Sequence, residues 1–222
     1  MTLAFAHRGA PGPGQRENTL PAFCDAVAAG LTALESDVWL TADDVPVLVH
    51  DGVLWSRHGR RRIRDLRSDE LPASVPTLAD LYAAVGPVVL SLDLKDPDAA
   101  EAVLAVADAA GATGSLWLCA EAPLLRDCRA RSEQVRLANS TRLRGRRLIE
   151  PLVARLAEAA VDALNLRAPE WTPARVRMTH AAGLRAFAWD VQTPQVLDRV
   201  LGDGCDAVYS DSVTLLLGLH SS

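Results

Sequence analysis

The chain lacks the features that mark membrane-inserted, secreted or nucleic-acid-binding proteins. None of its 222 residues falls in a run close to the roughly 18 consecutive apolar residues of a membrane span. The chain does not begin with a charged, then apolar, then small-residue leader, so we expect a cytoplasmic protein with no stable membrane insertion. The net charge of -5 gives no electrostatic reason to expect nucleic acid as a partner.

Cysteine is also scarce, and its placement excludes the usual metal and redox motifs. The four cysteines, Cys24, Cys119, Cys128 and Cys205, are scattered without the spacing of a zinc site or a redox pair. In a reducing compartment such cysteines are small buried apolar residues, which is the role we expect for them.

Lysine is the scarcest charged residue. Of the 23 basic residues, 22 are arginine and one, Lys95, is lysine. The two side chains differ in function, because an ammonium is a compact point charge and a guanidinium is a planar fork. The single lysine is therefore a candidate phosphate-binding residue.

The sequence does contain a regular alternation of short apolar runs and helical segments. Eight apolar runs predict strands in parallel order, each followed by a helix or helix-like segment: residues 2–6, 34–40, 88–94, 115–119, 134–138, 162–166, 184–191 and 207–209. This pattern predicts one α/β domain over residues 1–222, folded as a closed (β/α)8 barrel with its active site at the carboxyl ends of the strands. A doubly wound open sheet is the alternative, but no strand is followed by a glycine-rich phosphate loop.

One connection is too short for a helix. A turn at Asp43 and Asp44 predicts that residues 46–50 fold back antiparallel on the second strand. If Thr41 pairs with Pro46, His50 lies opposite Asp37.

Charged side chains collect at the predicted strand ends. His7 and Arg8 follow the first strand, and the other groups come from the second strand, its hairpin and the third strand: Glu35, Asp37, His50, Asp93 and Lys95. Residues two apart share one face of a strand, so three carboxylates, Glu35, Asp37 and Asp93, converge. Their mutual repulsion and all-oxygen chemistry predict a divalent metal site, with Mg²⁺ or Ca²⁺ preferred over zinc. His7 and His50 are then left for proton transfer, an arrangement suited to phosphodiester cleavage.

These residues also carry a family resemblance. The segments His7-Arg8-Gly9, Glu17-Asn18-Thr19, Glu35-x-Asp37-Val38 and His50-Asp51 resemble the signature of the glycerophosphodiester phosphodiesterase family. The resemblance continues through the strand ending in Asp93-x-Lys95 and through Trp189.

The resemblance implies a barrel of the phospholipase-C-like phosphodiesterase type. It also implies metal-dependent hydrolysis of a small glycerophosphodiester to sn-glycerol 3-phosphate and an alcohol. It makes His7 and His50 the acid/base pair and Glu35 and Asp37 metal ligands. The remaining matched positions are expected to contact or support the substrate: Arg8, Glu17, Asn18 and Lys95.

The sequence departs from the family pattern in three places. Asp93 stands where the family usually has Glu, Arg16 precedes Glu17 where Pro is usual, and Asp190 and Gln192 follow Trp189 in place of Thr and Asn. The shorter third carboxylate keeps open one alternative, a catalytically silent barrel that binds a ligand or acts as a scaffold. A second, enzymatic alternative is a phospholipase D-like lyase of the same superfamily, which forms a cyclic phosphate.

The sequence also predicts the roles of several other residues. Trp189 is a candidate wall of the glycerol or alcohol pocket, and Asp206 and Asp211 are expected to be caps. The arginine-rich run at 57–67 is expected to be a salt-bridged surface, although it could border a site for an anionic ligand. The sequence leaves the oligomeric state open.

Overall fold

The structure, a computed structural model, describes residues 2–56, 59–143 and 149–219. In those ranges the chain forms eleven strands and eight α-helices. The strands are β1 (Leu3–Ala6), β2 (Ala33–Leu40), β3 (Pro46–Leu48), β4 (Val53–Ser56), β5 (Gly59–Arg62), β6 (Val89–Leu94), β7 (Leu116–Ala120), β8 (Arg136–Ser140), β9 (Ala163–Arg167), β10 (Arg185–Trp189) and β11 (Ala207–Ser210). The helices are α1 (Leu20–Ala28), α2 (Leu78–Val85), α3 (Ala99–Ala109), α4 (Ala122–Arg131), α5 (Glu150–Glu158), α6 (Pro173–Ala181), α7 (Pro194–Gly202) and α8 (Val213–Gly218).

Eight of the strands close into a parallel barrel, which confirms the predicted fold. Around the barrel the order is β1, β2, β6, β7, β8, β9, β10 and β11, and β1 pairs with both β2 and β11. Because all eight strands run in one direction, their carboxyl ends form a single rim, which is where barrel enzymes carry their active sites.

Two packed layers hold the barrel. Its interior is filled by large aromatic rings, among which Phe5 stacks on Tyr209 with centroids 4.6 Å apart. Outside the strands, buried Leu, Val and Ala side chains pack against the surrounding helices.

Several helices begin at a hydroxyl side chain that accepts a hydrogen bond from the backbone three residues later. This satisfies one of the free N–H groups of the first turn and fixes where the helix starts. The capping residues are Thr77, Thr172, Thr193 and Ser212.

The predicted β2–β3 hairpin is present, but its predicted register was wrong by one residue. Pro46 pairs with Leu40 rather than with Thr41, and the Val49 N–H donates to the Asp37 carbonyl. The reason is that Thr41 closes the loop onto Val45 through both its backbone and its hydroxyl. The turn therefore spans three residues and ends on Asp44, whose φ is +57°.

The strand predicted at residues 134–138 lies two residues later, at β8. The Arg129 guanidinium binds the carbonyl oxygens of Ser132, Glu133 and Val135. Those carbonyls are therefore unavailable for strand pairing, and the ladder starts at Arg136.

The arginine-rich run contains β5, which pairs antiparallel with the preceding strand β4, and this pair was not predicted from the sequence. The β5 residues are exposed, and arginines near it pair with surface acids, among them Arg61 with Glu70 at 3.0 Å and Arg64 with Asp98 at 2.8 Å. The expectation of a salt-bridged surface is confirmed for residues 59–67, whereas Arg57 lies outside the described residues. Over the ranges given above, no helix is long and apolar enough to cross a membrane.

Candidate active site

A cavity of about 570 Å³ opens at the carboxyl rim of the barrel. It brings together both predicted catalytic histidines, all three predicted metal ligands, and Arg8, Lys95 and Trp189. The residues that line it are His7, Arg8, Glu35, Asp37, His50, Ser91, Asp93, Lys95, Cys119, Glu121, Ser140, Thr141, Arg142, Asn165, Trp189 and Tyr209.

The turn after β1 holds the first group of side chains. Arg8 adopts a left-handed conformation with φ +51°, which points its N–H at the Glu35 Oε2 atom 2.9 Å away. Gly9 follows with φ +84°, and a Cβ there would lie 2.9 Å from the Ala22 Cβ. Glycine is therefore required for this turn to pack against α1.

His7 forms a pair with Asp211, an acid that was expected from the sequence to be a cap. Its Nδ1 lies 2.6 Å from the Asp211 Oδ1, and its Nε2 lies 3.9 Å from Glu35. Burial alone would lower the pKa of His7, but the hydrogen bond to Asp211 and the charge of Glu35 outweigh it, and the pKa is raised. The cap of α8 is Ser212 instead, so the expectation for Asp211 was wrong.

Barrel closure explains the His7–Asp211 pair. Ala6 and Ser210 are paired at the seam between β1 and β11, so the next residue of each strand lies at the same height on the rim. The sequence signal was therefore available: a closed barrel places the residue after its last strand beside the residue after its first.

Three buried or half-buried carboxylates lie side by side on β2 and β6. Asp37 pairs in register with Asp93, and Glu35 lies two residues before Asp37 on the same face. Burial raises the pKa of Glu35 to about 8, with Asp37 adding to the rise and His7 opposing it. Burial also raises the pKa of Asp93, although Lys95 opposes the change.

Two cations balance this acidic wall. The Lys95 Nζ lies 2.5 Å from Asp93 and 3.1 Å from Asp37, and the Arg8 Nε lies 3.2 Å from Asp37. Burial would lower the pKa of Lys95, but its two carboxylate partners raise it. The lysine therefore stays charged between the two carboxylates.

The donor chemistry of this wall fits a hard divalent cation, because Glu35, Asp37 and Asp93 present only oxygen atoms. The spacing of these carboxylates does not by itself form a metal centre. Among residues 2–56, 59–143 and 149–219, no group of three His, Cys, Asp or Glu side chains has the spacing of a metal centre. Lys95 is the group that separates Asp37 from Asp93.

Neither Glu17 nor Asn18 lines the cavity: Glu17 is exposed and Asn18 is buried. Glu17 accepts two hydrogen bonds from the Arg8 guanidinium at 3.0 and 3.1 Å. Asn18 donates to Asp37 at 3.3 Å and accepts from the Ser36 hydroxyl at 2.6 Å. Glu17 therefore orients Arg8 and Asn18 orients Asp37, and a direct contact of either residue with substrate stays a prediction.

The segment carrying His50 is fixed by a tryptophan. The Trp39 Nε1 donates to the His50 carbonyl at 3.2 Å, and a Cβ on Gly52 would lie 2.6 Å from the Trp39 ring. The His50 Nδ1 lies 2.9 Å from the exposed Asp51 carboxylate. Both candidate catalytic histidines therefore have an acidic partner at Nδ1.

Asp206, also expected to be a cap, binds the Ala186 N–H at 2.7 Å and the His180 Nε2 at 2.8 Å. It lies just before β11, far from the carboxyl rim.

The cysteines are free thiols, three of them buried, as expected. Cys119 reaches the cavity floor, but burial raises the pKa of its thiol to about 12, which keeps it protonated.

This chain is similar to known proteins in three ways: it matches a family pattern, it has a relative in sequence, and it shares its fold with solved structures. Residues 7–91 match the pattern of the Glycerophosphoryl diester phosphodiesterase family. The protein named "Probable glycerophosphodiester phosphodiesterase 2" of Mycobacterium tuberculosis is 31% identical, over 96% of this chain and 89% of its own.

Solved structures share the fold. The glycerophosphodiester phosphodiesterase of Thermotoga maritima superposes with a TM-score of 0.85 at 24% identity, covering 99% of this chain and 98% of its own. A phosphodiesterase of Oleispira antarctica, determined in complex with the product sn-glycerol-3-phosphate, has a TM-score of 0.84 at 23% identity, with 99% and 96% covered.

Proposed function

Because this chain belongs to the glycerophosphodiester phosphodiesterase family, we propose that it hydrolyses glycerophosphodiesters to sn-glycerol 3-phosphate and an alcohol. We propose further that the reaction depends on Mg²⁺ or Ca²⁺ and uses His7 and His50 as its acid and base. The observation that carries the proposal is one cavity lined by both histidines, three carboxylates, Arg8 and Lys95.

The histidines suit proton transfer because each has a carboxylate at Nδ1, His7 through Asp211 and His50 through Asp51. A carboxylate at Nδ1 holds the ring in one tautomer and leaves Nε2 to exchange a proton. One imidazole takes a proton from the attacking water as its oxygen bonds to phosphorus. The other gives a proton to the alkoxide that leaves when the phosphorus–oxygen ester bond breaks.

Arg8 and Lys95 suit the phosphate. Both are held in the wall by acids that keep them charged, Arg8 by Glu17 and Asp37 and Lys95 by Asp37 and Asp93. Cations fixed before the reaction stabilise charge that develops on the phosphate oxygens without having to reorganise.

The proposed metal would be held by Glu35, Asp37 and Asp93. The support is their all-oxygen chemistry and the raised pKa values of Glu35 and Asp93, which are typical of carboxylates buried without enough positive charge around them. A bound divalent cation would supply Lewis-acid stabilisation of the phosphate.

A coupled assay tests the function. We expect glycerol 3-phosphate release from glycerophosphoethanolamine, loss of release after EDTA treatment, and recovery with Mg²⁺ or Ca²⁺. His7→Ala and His50→Ala should each lower kcat by about 100-fold or more. His180→Ala is the matched control, because His180 also pairs with an acid but lies away from the cavity. Activity that survives chelation would refute the metal, and full activity in either histidine variant would refute the acid/base pair.

The same assay separates the alternatives. If the folded protein released glycerol 3-phosphate from none of the diesters, the silent ligand-binding barrel would be favoured. The observation that supports this alternative is that Lys95 lies between Asp37 and Asp93. A cyclic phosphate product in ³¹P NMR would favour the lyase.

We also propose a cytoplasmic location, supported by four cysteines that remain free thiols. Subcellular fractionation tests it, and recovery from the culture medium would contradict it.

A further inference from the structure

One arginine at the cavity mouth has no acidic partner in the part of the chain that the structure describes. The Arg142 guanidinium lies 4.9 Å from the centroid of the Trp189 ring and lines the cavity. Across residues 2–56, 59–143 and 149–219, no carboxylate forms an ion pair with it. The other cations of the cavity wall, Arg8 and Lys95, are each bound to carboxylates.

Arg142 and Trp189 face the catalytic groups across the mouth. Around the barrel β8 lies opposite β1, and β10 lies opposite β6. Arg142 follows β8 and Trp189 ends β10, whereas His7 and Arg8 follow β1 and Lys95 follows β6. A diester whose phosphate contacts Arg8 and Lys95 therefore extends one end toward Arg142.

Two guanidinium groups lie near the Trp189 ring, and the first is that of Arg142. A second guanidinium, that of Arg167, lies 5.9 Å from the ring centroid, but Asp190 neutralises it at 2.7 Å. A quaternary ammonium such as choline binds best on an aromatic face. Here Arg142 competes for that face and repels the incoming cation.

We propose that Arg142 selects diesters whose leaving alcohol carries a carboxylate, and that it disfavours choline diesters. This inference rests on the proposed phosphodiesterase function. The guanidinium offers two parallel N–H donors to a carboxylate, and its contact with the Trp189 ring holds it at the cavity mouth before the substrate binds. Recognition thus combines attraction for an anionic end with repulsion of a purely cationic one.

A second charged residue at the cavity mouth, Glu121, bears on the choice of substrates for the test. It is exposed, lines the cavity and follows β7, the strand next to β8. Its carboxylate can pair with an ammonium on the leaving group. Glycerophosphoserine and glycerophosphoethanolamine both carry that ammonium and differ only in the carboxylate, so their ratio isolates the contribution of Arg142.

The test measures kcat/KM for the serine, ethanolamine and choline diesters. We expect the wild type to prefer the serine diester over the ethanolamine diester by about fivefold, the upper end of what an ion pair contributes at an exposed site such as that of Arg142. In Arg142→Ala the ratio should fall to about 1 and the choline diester should gain relative to the other two. Arg142→Lys keeps the charge without the planar fork, so its ratio should lie in between. Arg177→Ala, an exposed arginine on α6, is the matched control and should keep the wild-type ratio.

Equilibrium binding of the same diesters to His50→Ala provides a readout that does not need turnover. A serine-to-ethanolamine ratio near 1 in the wild type, or an Arg142→Ala variant that slows all three diesters equally, would overturn the inference. If no diester is hydrolysed but binding still favours the serine compound in an Arg142-dependent manner, the proposed hydrolysis fails and the inference on recognition stands.

Discussion

The strongest prediction concerns Asp211. Replacing it by Asn keeps the size of the side chain but removes the negative charge 2.6 Å from the His7 Nδ1. His7 then loses the group that holds its tautomer and stabilises its protonated form. We therefore expect Asp211→Asn to lower kcat and to lower the pKa of His7, because the hydrogen bond to the charged Asp211 carboxylate is the largest of the causes that raise it.

The size of the effect follows from the exposure of the pair. A hydrogen bond to a charged group contributes about 1.5–3 kcal/mol, which corresponds to roughly 10- to 150-fold in rate. The side chain of Asp211 is 53% exposed, so solvent screening places the expected loss at the lower end, about 10- to 30-fold. Loss of the buried acid in a serine protease triad is far more costly, at roughly 10⁴-fold.

The assay is the pH profile of kcat/KM for glycerophosphoethanolamine. The limb that reports His7 should move to lower pH in Asp211→Asn, whichever proton-transfer step His7 performs. Asp206→Asn is the matched control, since it removes the charge from another His–Asp pair, at 2.8 Å from His180. Thermal unfolding of both variants separates a loss of function from a loss of fold.

The reasoning would be refuted by an Asp211→Asn enzyme with wild-type kcat and an unmoved pH profile. A fall in kcat without movement of the profile would assign Asp211 to packing and not to the protonation of His7.

Three further predictions concern the supporting structure. Gly52→Ala places a Cβ 2.6 Å from the Trp39 ring, so we expect a loss of about 1–3 kcal/mol in unfolding free energy together with lower kcat; an unchanged Tm would show that the ring moves aside without cost. Asp43 has its pKa lowered to about 2 by hydrogen bonds from Thr41 and Ser68, so its contribution to stability is complete above about pH 4 and is lost as the pH falls toward 2. Asp43→Ala should therefore be less stable than wild type in urea unfolding at pH 6, with the gap narrowing at pH 3, and a gap that is constant with pH would argue against the shift. Tyr209→Phe removes a hydroxyl 3.1 Å from Ser91 and should cost about 1 kcal/mol with little change in KM, as measured by unfolding and by the coupled assay.

Much of the site was predictable because its residues stand at strand ends or share one face of a strand. An apolar run followed by a charged residue indicates where a parallel strand meets the rim, and this rule placed His7 and Lys95. The alternation of side chains along a strand added Glu35, Asp37 and Asp93 to the same cavity. The rule needs only the local pattern and the common direction of the strands.

The errors arose where a side chain far along the chain, or a short loop, decides the local geometry. The His7–Asp211 contact joins residues 204 positions apart and follows from closure of the barrel, which the local pattern around Asp211 does not record. The hairpin register depends on the hydroxyl of Thr41, which closes the loop one residue earlier than the acidic turn suggests. Glu17 and Asn18 were predicted to bind substrate from their place in the sequence; neither lines the cavity, and a direct contact with substrate stays a prediction.

The seam between β1 and β11 also has a consequence for biosynthesis. Every carboxylate proposed to hold metal lies between residues 35 and 93, whereas Asp211, the partner of His7, is translated 204 residues after it. A nascent polypeptide can therefore assemble the acidic wall early but cannot orient His7 until the final strand docks. Chains interrupted before Asp211 are expected to lack this pair, so the orientation of His7 proposed for hydrolysis requires that β11 has been translated and has joined the barrel.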